Sequence, residues 1–323
     1  MLGPISLPIP RGPRTTYMAS DASFNPDATL GAFQIGVLVS YVLFGVTTTQ
    51  AYIYYTRFPD DALRLKVLVA FAWVSELVHA LCIGHTLYVW TISDYAHPER
   101  LVAAVPKSLD VAVLSSGGIA VCVQGFFALR IYRFSRKKII PIIILIMAFL
   151  RLVGVIYLSA RGLQMKSLDG YVVQSKWVAI CVWSVSAAND LTITATLVFI
   201  LHRERNNLHG RSAAIVDKLI LWTLETGLLT TVMAIAELTC FITMTRNFVW
   251  LAAFAVSERL FSNSLLASLN SRAKLRSMNE GSQKLSLPFL APANELLTNN
   301  AEMTKFTPIA HDTDLRDKVV SDV

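Results

Sequence analysis

Charge is scarce in this 323-residue chain: 16% of residues are charged against 54% in the apolar set, and the mean hydropathy is +0.51. That balance excludes an ordinary soluble domain, in which about a quarter of residues are charged. Cysteine is scarce too. The four present, Cys82, Cys122, Cys181 and Cys240, all fall inside apolar runs, which excludes a disulfide-built scaffold and reads as small buried hydrophobes. No Asn-x-Ser/Thr sequon occurs, so glycosylation assigns no side of a membrane. There is no Cys-x-x-Cys, no His-x-x-x-His with an acid, and no second histidine-bearing apolar span. Together these argue against a zinc hydrolase of the lipid-cleaving seven-helix type. A glycine-rich phosphate loop is missing. Ser115-Ser116-Gly117-Gly118 lacks a histidine base and reads as close helix packing, and Asp190 lacks the flanks of an intramembrane aspartyl protease. No enzyme, cofactor or metal site is expected.

What the chain has is long apolar runs, at about 30–54, 67–90, 108–130, 139–160, 177–201, 219–243 and 247–269. A helix needs about 20 such residues to cross roughly 30 Å of hydrocarbon. The runs are continuous and not alternating, so they predict helices and not barrel strands. The expected fold is all-α, an integral membrane bundle of seven transmembrane helices. Trp90, Trp177 and Trp250 lie at span ends, as interfacial anchors should. Residues 1–29 hold five prolines and two acids without a basic n-region or cleavage site, so an extracytoplasmic N-terminal segment without a removable signal peptide is expected. No internal repeat of the transporter kind stands out.

Despite the net charge of +7 and a pI of about 9.3, the basic residues sit in short segments between the runs. That is an orientation signal and not a nucleic-acid interface. Fifteen Lys and Arg lie on the side carrying Arg57, Arg133, Arg136, Lys137, Lys138, Arg203 and Arg272, against eight on the other. The positive-inside rule then predicts an outside N-terminus and a cytoplasmic C-terminus. Residues 271–323 form a cytoplasmic tail, basic near the membrane; from 279 on, seven acids against four basic residues predict a flexible segment.

Several stretches carry a resemblance: Phe44-Gly45-Val46-Thr47-Thr48-Thr49-Gln50 with Tyr52 and Tyr54-Tyr55; Lys107-Ser108-Leu109-Asp110; Gln124-Gly125-Phe126-Phe127-Ala128 with Arg130, Tyr132 and Arg133. To these add Asp217-Lys218-Leu219-Ile220, Thr226-Gly227-Leu228-Leu229-Thr230, and Ser262-Asn263-Ser264-Leu265-Leu266-Ala267-Ser268-Leu269-Asn270 with Arg272. Over roughly residues 30–276 the chain resembles a large seven-helix family of uncharacterised membrane proteins from basidiomycete fungi, built on a domain of unknown function. Phe261 stands where that family's pattern has tyrosine. The resemblance implies the fold and carries over no catalytic or ligand residues.

Ionisable groups deep in the spans are the chemically informative residues: Glu76, His79 and His85 in the second, Arg151 in the fourth, Asp190 in the fifth, Glu225 and Glu237 in the sixth, Glu258 and Arg259 in the seventh. Each costs about 2.5–3.5 kcal/mol at mid-membrane on insertion scales, so each should face the bundle interior and find a partner. Five carboxylates against two arginines leave three acids to be neutralised, paired with His79 or reached by water. Depth along the helices makes Arg151 with Asp190 the first candidate ion pair, with Glu258 sharing Arg151 or Arg259. Glu76 and His79, three residues apart, share a helix face and form the local proton-responsive candidate. The interior set for a ligand or proton is therefore Glu76, His79, Arg151, Asp190, Glu225 and Glu258. Thr47, Thr48, Thr49 and Gln50 are expected to supply interhelical hydrogen bonds.

Seven helices, short loops and an inside tail share the plan of G-protein-coupled receptors, an analogy of architecture alone. The third helix ends in Arg130 without a preceding acid, the external cysteine pair is missing, and Asn270 lacks the Pro-x-x-Tyr that would follow it. The first expectation is a divergent receptor or sensor for a small ligand, at the plasma membrane. The alternatives are a proton-linked transporter or channel using the buried carboxylates, and a membrane scaffold. Expected partners are the bilayer, a small molecule between the helices, and a cytoplasmic signalling protein or anionic lipid at Arg133, Arg136, Lys137 and Lys138; nucleic acid is not among them.

Overall fold

The computed structural model describes residues 26–94, 105–165, 168–206, 211–244 and 247–279. The N-terminal segment to residue 25 and the chain from 280 on, for which an extracytoplasmic segment and a flexible tail are expected, lie outside the described residues, as do Arg100, Lys166 and Arg246 of the orientation signal. Seven long helices are found among the described residues: α1 (Ala32–Arg57), α2 (Leu63–Tyr88), α3 (Lys107–Ser135), α4 (Ile139–Gln164), α5 (Leu168–Asn206), α6 (Arg211–Thr243) and α7 (Val249–Asn279). A π-helical turn, Asp27–Gly31, leads into α1 and another, Val89–Ser93, extends α2.

Consecutive helices pack side by side from α1 to α7, and α7 closes the ring against α1; α3 also reaches α5 and α7 across the middle. Two connections are tight. Arg136 ends α3 in the left-handed region (φ 56°), its N–H bonded to Tyr132 O at 2.9 Å, so that α4 restarts at Ile139. Phe58 to Ala62 turn the chain from α1 into α2. In that turn Asp61 is held by Arg272 Nη2 at 2.5 Å and by the Tyr54 hydroxyl at 3.1 Å, with the Arg272 guanidinium 4.5 Å from the Phe58 ring. This ties the α1–α2 turn to the C-terminal half of α7.

The burial pattern is that of a bundle whose solvent is hydrocarbon. On α4 the inward stripe Pro141, Ile144, Ala148, Arg151, Val155, Leu158 and Gly162 repeats every three or four residues and contains small and charged side chains, while Ile142, Ile146, Phe149, Leu150, Val153 and Ile156 point outward. A soluble monomer rarely exposes apolar patches on this scale. Six helices, α1 to α6, are long and apolar enough to cross a membrane. The least apolar, α7, is buried around most of its circumference, from Leu251 to Arg272. Its polar residues Ser257, Glu258, Arg259 and Ser262 face other helices and not the periphery, which is why composition marks it less clearly.

Two anchor expectations are corrected. Trp177 is 77% exposed, but Trp90 and Trp250 are buried. Trp90 packs 5.4 Å from Phe33 and 4.9 Å from Phe248, and Trp250 lies 5.3 Å from Phe241 and 6.1 Å from Trp183. These rings plug one end of the bundle, where aromatic burial outweighs placement at an interface. All four cysteines are free; Cys181 is exposed and the other three are half-buried.

Close approach of α1 to α7 requires glycine at 36, where an added Cβ would lie 2.6 Å from Ala252 Cα, whereas at Gly45 on the same helix it meets nothing within 4 Å. Gly36→Ala should therefore cost about 1–3 kcal/mol, because backbone cannot yield. Gly45→Ala should be neutral or stabilise by up to about 1 kcal/mol through helix propensity. Thermal unfolding of the two variants in the same detergent checks both signs.

Candidate functional site

Three consecutive residues of α7 organise the interior. Successive helical residues point about 100° apart, so Ser257, Glu258 and Arg259 address three different neighbours. The Ser257 hydroxyl lies 3.1 Å from Glu237 Oε2 of α6 and 3.1 Å from the Phe254 carbonyl of its own helix, and shares its one hydrogen between these two acceptors. Glu258 Oε1 accepts from Arg151 Nη2 of α4 at 3.1 Å. Arg259 forms an ion pair with the Glu76 carboxylate of α2, donates to Glu76 O at 2.9 Å, and donates through Nε to Ser40 Oγ of α1 at 2.8 Å. Both arginines also face rings, Arg151 over Phe261 at 5.0 Å and Arg259 over Phe44 at 5.3 Å.

The expected pairing of Arg151 with Asp190 is thus corrected. Arg151 is taken by Glu258, and Asp190 Oδ1 instead accepts from Gln124 Nε2 of α3 at 3.1 Å. Sequence order favours α4 with α5, but α7 brings its carboxylate closer to the guanidinium. Glu76 likewise turns to Arg259 and not to His79. The His79 ring is buried 5.6 Å from Phe254, and neither nitrogen has a hydrogen-bond partner among the described residues. Glu225 is exposed on the outside of α6, not in the interior. The buried stripe of α6 runs through Val216, Leu219, Thr223, Thr230, Ala234, Glu237 and Phe241; Glu225 precedes Glu237 by twelve residues, about 120° round the helix. His85 Nδ1 lies 2.9 Å from Ser108 Oγ. Of the polar run in α1, Thr47, Thr48 and Thr49 bond back to carbonyls of their own helix, while Thr48 also accepts from Trp73 Nε1 at 3.1 Å. Arg133, Arg136, Lys137 and Lys138 are all exposed around the α3–α4 turn.

Two pockets flank this charged belt. The larger opens among α3, α4, α5, α6 and α7 and holds about 790 Å³ of non-atom space, its open mouth included. Asp110, Gly162 and Ser175 line one end of it. Trp183, Phe241, Trp250 and Phe254 form aromatic walls, and Arg151 with Glu258 lies at the other end. Asp110 Oδ2, Arg151 Nε and Nη1, Glu258 Oε2 and Trp250 Nε1 have no hydrogen-bond partner among the described residues. An apolar pocket with a few convergent polar groups is the general form of a small-molecule site. Asp110 owes its place to Gly162, where a Cβ would fall 1.8 Å from Asp110 Oδ1. The second pocket, about 390 Å³ on the same measure, lies on the other side of the belt between α3, α5, α6 and α7, with Asp190 and Gln124 on its wall.

Sequence reasoning did not single out Asp110, Gln124, Ser40 or the Asp61–Arg272 pair as functional or structural contacts. Asp110 and Gln124 stood in the motifs of the resemblance without a role, and an acid in the first turn of a span was the available signal for Asp110. Among the described residues no group of three or more His, Cys, Asp and Glu could hold a metal ion.

Apolar spans around a buried charged belt define a multi-pass membrane protein built as a helical bundle. A family model described as "Family of unknown function (DUF6534)" matches residues 186–274, from the middle of α5 through α6 into α7. The chain therefore carries a DUF6534 domain that includes Asp190, Glu237, Glu258 and Arg259. No curated protein and no solved structure matches the chain.

Removing one partner of a buried ion pair leaves the other charge uncompensated, at about 3–5 kcal/mol. Arg259→Gln and Glu76→Gln should each destabilise on that scale. In a double-mutant cycle Arg151 and Glu258 should couple within the range of about 0.5–3 kcal/mol, with a smaller coupling between Arg151 and Asp190. Denaturant unfolding of the singles and doubles gives these energies directly; a larger coupling to Asp190 would reverse the assignment.

Proposed function

We propose that this protein is a divergent seven-helix receptor or sensor for a small amphipathic ligand, a binding protein and not an enzyme. The observation that carries the reading is the larger pocket, with aromatic walls, Asp110 at one end and the Arg151–Glu258 pair at the other. In this reading α7 crosses the membrane with the other six helices, the N-terminus is outside and the C-terminus is cytoplasmic. Support comes from the excess of Lys and Arg at the end carrying the α1–α2 and α3–α4 turns. The pocket then opens outward, and Arg133, Arg136, Lys137 and Lys138 form a basic surface on the cytoplasmic side for a signalling protein, at the plasma membrane. A ligand that displaces Arg151 from Glu258 would disturb α4 and α7 together, since a ligand shifts a conformational equilibrium by its differential affinity for the two states.

A specific observation favours a second reading. The two pockets lie on opposite sides of one buried belt containing Arg151, Asp190, Glu237 and Glu258, an arrangement suited to a proton-linked transporter, where intramembrane carboxylates mark the path.

The test is purification of the tagged protein from its native membrane in mild detergent, with and without a non-hydrolysable GTP analogue. A variant with Arg133, Arg136, Lys137 and Lys138 all replaced by Gln serves as control. The receptor reading expects a guanine-nucleotide-binding partner that leaves on nucleotide addition and is lost in the control. Absence of such a partner from folded preparations, together with liposome ion flux abolished by Asp190→Asn, would replace it with transport.

A further inference from the structure

The charge balance of the interior is incomplete. Among the described residues Arg151, Arg259 and Arg272 are matched by Glu258, Glu76 and Asp61, leaving the buried acids Asp110, Asp190 and Glu237 without a cationic partner at salt-bridge distance. Asp110 belongs to the larger pocket, and Glu237, with the Ser257 hydroxyl 3.1 Å from one oxygen, lines neither of the two pockets. Asp190, only 5% exposed, lines the second pocket, and its Oδ2 has no hydrogen-bond partner among the described residues.

Beside the apolar Val123, Phe127, Ile193, Leu197 and Phe261, the other polar groups on that pocket's wall offer lone pairs. Gln124 spends its amide N–H on Asp190 Oδ1 at 3.1 Å, and its own Oε1 is buried without a partner. Thr226 donates its hydroxyl hydrogen to Trp222 O at 2.8 Å and Thr230 donates to Gly227 O at 3.0 Å. A hydroxyl has one hydrogen and two lone pairs, so while these bonds to their own helix hold, the two threonines, both on the pocket wall, offer it lone pairs. Gly227 admits a further oxygen: a Cβ there would fall 2.0 Å from Thr194 Oγ1, so the absence of a side chain lets the Thr194 hydroxyl lie against α6 beside the pocket.

From this geometry we infer that the second pocket is a binding site for a monovalent alkali cation, coordinated by Asp190 Oδ2, Gln124 Oε1 and the hydroxyl oxygens of Thr194, Thr226 and Thr230. Hard cations take oxygen ligands, and a single carboxylate among neutral oxygens balances one positive charge, whereas divalent sites draw on more ligand charge. The guanidinium of Arg151 is already paired with Glu258. Arg130 lies six residues beyond Gln124 on α3, about 9 Å along the axis, with its Nη1 on Ser268 Oγ. Because the ligands come from α3, α5 and α6, the ion would clamp three helices that meet beneath the larger pocket. The site is distinct from that pocket and stands or falls independently of its ligand.

The experiment is thermal unfolding of the full-length protein in nanodiscs of neutral lipid, titrated with NaCl or KCl at ionic strength held constant by choline chloride, at two pH values. The expected result is a saturable rise in unfolding temperature with one of the alkali ions that choline does not reproduce. That rise is lost in Asp190→Asn, and its half-saturating concentration is raised about tenfold in the near-isosteric Thr226→Val. Gly45→Ala, remote from the site, keeps the full response. If Asp190→Asn does not fold, loss of cation affinity in Thr226→Val and in Gln124→Leu decides the matter. A response equal in choline, one retained by the folded variants, or stabilisation that follows pH and ignores the alkali ion overturns the proposal; the last of these would leave a proton on Asp190 in the cation's place.

Discussion

The guanidinium of Arg259 is fully buried, and the rest of the bundle is arranged around keeping it paired. A charge in a medium with little water must be matched locally, because desolvation costs several kcal/mol per ion and only close partners and hydrogen bonds offset it. Arg259 finds a carboxylate and a carbonyl on α2 and a hydroxyl on α1. Its neighbours Glu258 and Ser257 reach α4 and α6. Four helices are thus fixed to one turn of α7, and the rotation of α7 about its axis is determined: turning it by one residue would break all three sets of contacts at once.

Around that turn the usual distribution of polarity is reversed. The inward stripe of α4 carries Arg151, Gly162 and Ser159, and the outward face carries most of its isoleucines and Phe149. With hydrocarbon as the solvent, apolar surface gains nothing by being inside, so cohesion comes from close packing and interhelical polar contacts. Gly36 against Ala252 and Gly227 against Thr194 provide the first, and Asn263 on Leu43 O with Asn270 on Gln50 O the second. At the end bearing the α1–α2 turn, Asp61, Arg272, Tyr54 and Phe58 add a lock outside the central belt.

The same polar belt divides the interior into two pockets of different chemistry. One has aromatic walls with Arg151 and Glu258 at one end; the other sets threonines, Asp190 and Gln124 among apolar side chains. Structural and functional roles need not compete here. A pair such as Arg151–Glu258 can hold α4 to α7 and still present unpaired donor and acceptor positions to a ligand.

Much of this was written in the chain. Continuous apolar runs dictate membrane helices, because an unsatisfied backbone in hydrocarbon leaves no other choice for such segments, and the cost of mid-membrane charge marked Glu76, Arg151, Asp190 and Glu258 as interior groups. Helical phase along α6, through Thr223, Thr230 and Ala234, places Glu237 on the buried stripe and Glu225 off it. What the sequence alone determined is therefore the helical class and which residues must be satisfied. Only the tertiary structure decided who satisfies them: among the partners the sequence offered for Glu258 it selects Arg151, across 107 positions of chain, and it gives Arg259 to Glu76 across 183. Partner choice depends on helix order, rotation and the glycine contacts that set interhelical spacing, and none of these is a local property of the residues involved.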